Sequence, residues 1–171
     1  GALVMGMMRW MFENGRIDAT YLSQPNGTAA EAAGEAGWCN ASHLVIRHKG
    51  HPREGRMLRA SDMGWVTLDE KERYGDKDAF VVLDPATNAP VAHDALAGPA
   101  ALFHDGSVET AGGPVTVATS LALLRAETMR LDLAAYAEAC GVPADVIAGL
   151  AREFTSHGKK AVANAHGGMM A

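Results

Sequence analysis

Apolar residues of this 171-residue chain recur at helical spacing near its start and again through its last third. Leu3, Met7, Trp10 and Met11 fall on one face of a helix over residues 2–13. Gly15 follows at the position where a left-handed residue commonly ends a helix. The pattern therefore opens the chain with an amphipathic helix.

Short apolar runs separated by turn residues occupy the middle of the chain. A helical turn is predicted over 18–22, and a second helix over the alanine-rich stretch 28–36. A strand is predicted over 43–46, and residues 47–77 are predicted to form a charged, glycine-rich loop with a possible short element at 63–66. Two hairpins are predicted to follow, pairing 79–83 with 89–92 and 107–110 with 115–117.

The sequence of the last third predicts three helices, over 120–125, 131–139 and 143–154, and Gly141 is predicted to end the second of them. The third helix carries an apolar stripe: Val146, Ile147, Leu150, Ala151 and Phe154. Because apolar residues 161–165 follow it, we expect a buried strand there, and helix followed by buried strand is typical of an α/β fold. We therefore predict segments 1–46 and 119–171 of an α/β domain, with residues 47–118 as an insertion containing β-hairpins.

Composition and charge bound the classes of partner. The chain is 48% hydrophobic and 20% charged, with a formal net charge of −5, as in an ordinary globular protein. This charge provides no electrostatic reason to bind nucleic acid or an anionic membrane, so neither is expected as a partner. The chain begins with Gly1, in a predicted apolar helix, and its last residues lie within a predicted loop. We therefore expect it to be an internal piece of a larger protein.

The sulfur and imidazole side chains leave two interpretations open. Cys39, His43, His48 and His51 could be drawn around zinc, but they lack a recognised ligand spacing. The simpler interpretation places His43 on a half-buried strand and His48 and His51 in a solvated basic loop. Cys140 has no paired spacing with Cys39 either, so no disulfide is predicted.

Common catalytic motifs are missing from the sequence, including the nucleophile elbow, the phosphate-binding loop and the dinucleotide fingerprint. Asp84, before Pro85, is predicted to form a turn rather than to carry a proton. His166, Gly167 and Gly168 are more suggestive, because glycines directly after a strand let the backbone approach a bulky ligand.

Several stretches resemble the molybdopterin oxidoreductases of the dimethyl sulfoxide reductase family. Residues 2–21 resemble the helix that follows a guanine-dinucleotide-binding loop in that family. Residues 136–154 resemble a later helix, with Gly141-Val142-Pro143 before Ile147 and Leu150-Ala151-Arg152-Glu153-Phe154 at its end. The resemblance implies a part of the molybdopterin guanine dinucleotide-binding core.

Other stretches are similar to the members of this family that reduce sulfur oxyanions: residues 21–25, 38–46, 157–160 and 166–170. The resemblance implies an oxidoreductase that transfers two electrons to tetrathionate and yields thiosulfate, in anaerobic respiration. Arsenate, thiosulfate or polysulfide are alternative substrates. A free-standing, non-catalytic α/β binding module is the competing class.

The resemblance also implies cofactors, partners and a location for the intact enzyme. The cofactors would be molybdenum bound by two molybdopterin guanine dinucleotides and a four-iron four-sulfur cluster in a preceding segment. The partners would be a membrane subunit that oxidises quinol, together with a ferredoxin-like iron-sulfur subunit. Export to the periplasm would follow the twin-arginine route, and the isolated chain is expected to be inactive.

The resemblance implies a functional role for only a few residues of this chain. His166, Gly167 and Gly168 are predicted to contact the pterin cofactor by packing and hydrogen bonding. Gln24 and Asn26 are predicted to line the substrate funnel. Neither Cys39 nor Cys140 occupies a metal-binding motif of the family, so neither is predicted to bind molybdenum.

Overall fold

A computed structural model describes residues 1–163 of the chain. The described residues divide into two compact units, one formed by residues 1–17 together with 124–163, the other by residues 18–123. Helices and strands both occur, as the predicted α/β class requires. The predicted divisions after residues 46 and 118 stay predictions.

The helices of the described chain are α1 (Ala2–Glu13), α2 (Ala19–Leu22), α3 (Gly27–Ala32), α4 (Ser120–Thr128), α5 (Leu133–Cys140) and α6 (Ala144–Ser156). The strands are β1 (Leu44–Ile46), β2 (Val81–Leu83), β3 (Pro90–Ala92), β4 (Asp105–Thr110) and β5 (Gly113–Thr119). Every helix and strand predicted before residue 157 is present, except the short element at 63–66, where the chain only turns.

Local chemistry sets the helix ends in the first unit. Gly15 and Gly141 adopt left-handed φ angles of +62° and +69° just after α1 and α5, as their positions in the sequence predict. Asp132 begins α5 by accepting a hydrogen bond from the Ala135 N–H at 2.7 Å. Because these caps are local, the predicted ends of α1 and α5 agree with the observed ends to within one or two residues.

Helix α1 packs against both α5 and α6 within the first unit. Of the apolar stripe on α6, Ile147 and Ala151 are fully buried, whereas Val146 and Leu150 are each 44% exposed. The apolar stripe is therefore wider than the face of α6 that is buried in this unit.

Gly6 allows the close approach of α1 to its neighbours. A Cβ atom at this position would lie 3.2 Å from both Ile147 Cγ2 and Tyr136 Cβ. We expect Gly6→Val to lower the free energy of unfolding by about 2 kcal/mol through overpacking. Gly149→Ala, in α6 with no atom within 4 Å of the added Cβ, should instead raise it by up to about 1 kcal/mol. Urea denaturation of both variants tests this, and equal midpoints would contradict it.

The second unit contains two antiparallel sheets. One has the strand order β1-β5-β4, with Val45 opposite Ala118 and Ser107 opposite Thr116. The other is the hairpin of β2 and β3, in which Val82 lies opposite Val91. Asp84 turns this hairpin, as predicted, because its carboxylate accepts hydrogen bonds from the Ala86 N–H and the Thr87 hydroxyl.

A single apolar core lies within this unit, composed of Leu44, Ile46, Leu58, Val81, Leu83, Val108, Val115 and Val117. Leu58 belongs to the predicted loop, yet it has no exposed surface. Its N–H donates to Leu44 O at 2.8 Å, and its O accepts from the Val81 N–H at 3.1 Å. Residues 57–59 therefore bridge β1 and β2, and this bridge places Arg59 beside Phe80.

The predicted strand over 161–165 is contradicted in its described part. Residues 161–163 form no strand, and Val162 is 86% exposed. Residues 164 and 165 lie outside the described residues. Within residues 1–163, no single helix is long and apolar enough to span a membrane, and α5 and α6 reach that length and composition only together, across a 101° bend.

Candidate functional site

Four aromatic side chains pack together in the second unit, and we call them the histidine cluster: Trp38, His43, Phe80 and His93. The rings of His43 and Phe80 stack with centroids 4.9 Å apart and planes at 21°. His93 meets both rings edge-on, at 5.3 and 5.4 Å. Trp38 lies about 6 Å from both histidine rings and is 43% exposed, so the cluster extends from the core to the surface.

The strands position these rings. His43 directly precedes β1, and its backbone O accepts a hydrogen bond from the Ser120 N–H at 3.0 Å. Phe80 precedes β2 and His93 follows β3, and the His93 N–H donates to Phe80 O at 2.8 Å. The hairpin thus continues by one residue pair beyond its strands, which places the two side chains next to each other.

His43 is neutral at physiological pH. Its side chain is 1% exposed, and burial is the largest cause that lowers its pKa from 6.5 to about 4. The backbone contact with Pro25 opposes this shift, whereas the charges of His93 and Arg59 add to it. Nε2 lies 3.3 Å from Pro25 O, which assigns the proton to Nε2 and leaves Nδ1 as an acceptor.

Two imidazole nitrogens of the cluster are unsatisfied. His43 Nδ1 and His93 Nδ1 are both buried and have no hydrogen-bond partner among the described residues. Burial also lowers the pKa of His93; Asp94 opposes this and Arg59 reinforces it. Because buried polar groups are normally paired, these atoms are candidates for hydrogen bonds to a ligand donor.

The loop that carries Gln24 and Asn26 lies against this cluster, through the contact of Pro25 with His43. Asn26 is fully engaged: its Oδ1 accepts from the Ala29 N–H at 2.8 Å, and its Nδ2 donates to the backbone oxygens of His93 and Leu96. It therefore caps α3 and holds the segment after β3.

Gln24 is 2% exposed and differs from Asn26 in one respect. Its Nε2 donates to Thr20 O at 2.7 Å, but its Oε1 is buried with no partner in the described part of the chain. Of the two predicted funnel residues, Gln24 is thus the one with an acceptor available. Their role in a substrate funnel stays a prediction.

Arg59 supplies the positive charge at this site. Its guanidinium lies 3.6 Å from the centroid of the Phe80 ring and donates to Asp78 O at 2.6 Å. Burial lowers the pKa of Arg59; Asp78 opposes this shift and Arg53 reinforces it. The site therefore combines a cation fixed on an aromatic face with imidazoles that stay neutral.

Asp78 organises the chain around Arg59. It has no exposed surface, and its carboxylate accepts hydrogen bonds from the Ser61 N–H, the Ser61 hydroxyl and the Tyr74 N–H at 2.9, 2.7 and 3.0 Å. Burial alone would raise its pKa, but these hydrogen bonds and the charge of Arg59 together lower it. Asp78 is thus an ionised carboxylate that joins three loop segments.

A metal site at Cys39, His43, His48 and His51 finds no support in the structure. Residues 1–163 bring together no group of three or more cysteine, histidine or acidic side chains able to hold a metal ion. Cys39 Sγ contacts Leu22 O at 3.8 Å and is a free thiol, as is Cys140. His43 is 1% exposed, so it is more deeply buried than the half-buried strand of the simpler interpretation implies, and its Nδ1 has no partner within residues 1–163.

The basic loop is only partly solvated, which corrects one expectation. His48 is exposed, but the side chain of Arg53 is 17% exposed and forms an ion pair with Asp62. Its guanidinium also lies 3.7 Å from the centroid of the Tyr74 ring. The sequence offered no periodicity across residues 47–77 from which these contacts could be predicted.

The predicted cofactor-contacting residues His166, Gly167 and Gly168 lie outside the described residues. Sequence reasoning also missed Phe80, His93, Arg59 and Asp78 as site residues. A signal existed for the first two, because the predicted pairing of 79–83 with 89–92 brings Phe80, near the start of one strand, close to His93, directly after the other. No signal existed for Asp78, whose partners come from separate turns.

Comparisons with known proteins identify three relatives, whereas no family model matches the chain. The chain is 40% identical over 171 residues to a tetrathionate reductase subunit of Salmonella typhimurium, a match that covers 99% of this chain and 16% of that protein. It is 35% identical over 162 residues to a selenate reductase subunit of Mesobacillus selenatarsenatis, covering 94% of this chain and 14% of that protein.

The third relative is a tetrathionate reductase subunit of Archaeoglobus fulgidus, 34% identical over 153 residues, a match that covers 90% of this chain and 12% of that protein. The chain therefore spans only about a sixth or less of the length of these relatives. Within that span the similarity extends along nearly the whole chain.

Proposed function

We propose that this chain, a homologue of one segment of oxyanion reductase subunits, is part of the catalytic subunit of a molybdenum-dependent oxidoreductase. The observation that carries the proposal is the 40% identity to the Salmonella typhimurium tetrathionate reductase subunit over 99% of the chain. The family resemblance of residues 2–21 and 136–154 supports the same assignment. The reaction is a two-electron transfer to an oxyanion in anaerobic respiration.

Tetrathionate is the proposed substrate, and its reduction breaks the central sulfur–sulfur bond to give two thiosulfate ions. Two of the three relatives are named for this activity. Selenate is the second candidate, because a relative 35% identical to the chain is named for selenate reduction. Both substrates are dianions, so both require positive charge in the binding site.

The described residues fit a supporting role in such an enzyme. They provide buried acceptors at His43 Nδ1 and Gln24 Oε1. Neither Cys39 nor Cys140 occupies a metal-binding motif of the family, so the proposed ligand of molybdenum lies outside this chain. When bound, the cofactor supplies the redox chemistry, and the protein positions it and tunes its surroundings. The histidine cluster can accept hydrogen bonds from a bound group without adding positive charge.

The remaining parts of the proposal follow from the resemblance. The intact enzyme would carry two molybdopterin guanine dinucleotides and a four-iron four-sulfur cluster. It would receive electrons from a quinol-oxidising membrane subunit through a ferredoxin-like iron-sulfur subunit, and it would act in the periplasm after export by the twin-arginine route. His166, Gly167 and Gly168 would contact the pterin.

The proposed function is tested in the intact protein that contains this chain. We expect the purified protein to contain molybdenum and to reduce tetrathionate with a reduced viologen dye faster than selenate. His166→Ala should lower both the molybdenum content and the turnover, because it removes a cofactor contact, whereas His157→Ala, at an exposed helix end, should leave both unchanged.

Each result separates one part of the proposal from another. Absence of molybdenum and of reductase activity would reject the enzyme class. Faster reduction of selenate than of tetrathionate would identify selenate as the substrate. Normal cofactor content and turnover in His166→Ala would reject the site assignment alone. The 171-residue chain by itself is expected to hold no molybdenum, which elemental analysis can check.

A further inference from the structure

Positive charge is concentrated in one segment of an otherwise acidic chain. Residues 47–59 contain five basic residues, namely Arg47, Lys49, Arg53, Arg56 and Arg59, and one acidic residue, Glu54, whereas the whole chain has a formal net charge of −5. Such a segment binds anions only if its charges converge, so their placement in the structure decides its role.

Three of these arginines converge on one cavity in the second unit. The cavity has a volume of about 560 Å³ and is lined by Pro52, Arg53, Arg56, Met57, Arg59 and Tyr74. This volume is within the range of small-molecule sites. No acidic side chain is among the lining residues, so the cavity combines three guanidinium groups with apolar and aromatic walls.

Two of the three guanidinium groups are held in place. Arg53 forms an ion pair with Asp62, donates to Met57 O at 3.0 Å and lies over the Tyr74 ring. Arg59 is fixed by Asp78 O and the Phe80 ring. Because a guanidinium has five N–H donors, both side chains keep donors beyond these contacts. The cavity is thus preorganised rather than assembled on binding.

Arg56 is the third arginine, and its charge is not compensated. Its side chain is exposed and forms no hydrogen bond or ion pair with any residue in 1–163. The nearby Glu54 carboxylate instead accepts a hydrogen bond from the Gly50 N–H at 3.0 Å. Arg56 is therefore available to a ligand without breaking a contact of the fold.

We propose that this cavity binds a small oxyanion with two or more negative charges, held by Arg53, Arg56 and Arg59. Guanidinium groups recognise sulfonate, sulfate and phosphate oxygens by paired N–H donors, which gives this ligand class its geometry. The two sources of such a ligand are a free sulfur oxyanion and the phosphate groups of a nucleotide. The proposal concerns binding alone and holds whether or not the protein is a reductase.

The electrostatics of Arg59 agree with this proposal. Its pKa is lowered by burial and by the charge of Arg53, although Asp78, Asp62 and Asp76 oppose the shift. Two guanidinium groups that repel each other in a partly buried cavity are stabilised by an anion placed between them. The same repulsion would disfavour a cationic ligand.

Isothermal titration calorimetry of the chain with sodium thiosulfate and with sodium pyrophosphate tests the proposal at low ionic strength. We choose thiosulfate as the titrant instead of tetrathionate, because Cys39 and Cys140 are free thiols. Their thiolates could attack the sulfur–sulfur bonds of tetrathionate, and the heat of that reaction would obscure the heat of binding. We expect at least one anion to bind and added salt to weaken binding. Arg56→Ala should raise the dissociation constant about fivefold, and Arg56→Lys less.

Lys49→Ala is the matched control, because it removes one exposed positive charge from the same segment without lining the cavity. The proposal is supported if this variant binds like the unmodified chain. It is overturned if neither anion binds, or if Lys49→Ala and Arg56→Ala weaken binding equally. Tighter binding of pyrophosphate would identify a nucleotide phosphate as the source, and tighter binding of thiosulfate a sulfur oxyanion.

Discussion

Asp78→Asn is expected to lower the free energy of unfolding by about 3 kcal/mol. The carboxylate of Asp78 accepts hydrogen bonds from Ser61 and Tyr74 and faces the charge of Arg59. The NH₂ group of an asparagine would face the donors of Ser61 or Tyr74 and could not accept their hydrogen bonds. Arg59 would also lose its counter-charge. Urea denaturation followed by tryptophan fluorescence measures the effect.

Asp76→Asn is the control for this prediction, because Asp76 is an exposed carboxylate two residues away. Its removal should change the free energy of unfolding by less than about 0.5 kcal/mol. Ser61→Ala, which removes one of the hydrogen bonds to Asp78, should cost about 1 kcal/mol. Equal midpoints for Asp78→Asn and Asp76→Asn would show that Asp78 does not organise the loops.

Acidification is expected to destabilise the fold through His43. The pKa of His43 is about 4 in the folded chain and 6.5 ordinarily, so between these values the unfolded chain binds a proton that the folded chain does not. The stability contributed by neutral His43 is thus present above pH 6.5 and is lost as the pH falls towards 4. The loss amounts to about 3 kcal/mol.

His43→Gln isolates this contribution, because glutamine can donate to Pro25 O but does not titrate. We expect this variant to lose less stability than the unmodified chain between about pH 7 and pH 4.5, when urea midpoints are compared. His48→Gln, at an exposed histidine, should follow the unmodified chain. Parallel pH profiles for all three proteins would refute the role of His43, and Asp78 is not expected to interfere because its pKa is lowered from 3.8.

Elements with strong local signals were predicted well. The helical spacing in α1, the glycines after α1 and α5, and the turn at Asp84 act over a few residues, so the sequence locates them without knowledge of the fold. The strand over 161–165 was predicted from apolar composition alone. Its described part is not a strand, because a strand also needs a pairing partner, which composition does not reveal.

The candidate site was predicted far less completely. Gln24 and Asn26 were selected from the family resemblance, and their loop does contact His43 through Pro25. The convergence of Arg53, Arg56 and Arg59 on one cavity could not be predicted, because residues 47–77 show no periodicity. It depends on Leu58, whose backbone bridges β1 and β2 and whose burial anchors the loop.

The sequence by itself determined the helices, the two hairpins, the α/β class and the similarity to oxyanion reductases. The elements follow from apolar periodicity, caps and turn residues, which act between near neighbours, and the similarity follows from stretches that resemble those of such reductases. Only the tertiary structure decided that His43 is neutral and that Asp78 is buried and ionised. It also showed that Arg59 joins the histidine cluster to a cationic cavity. Burial and charge at these positions depend on contacts between distant residues, and no local pattern encodes such contacts.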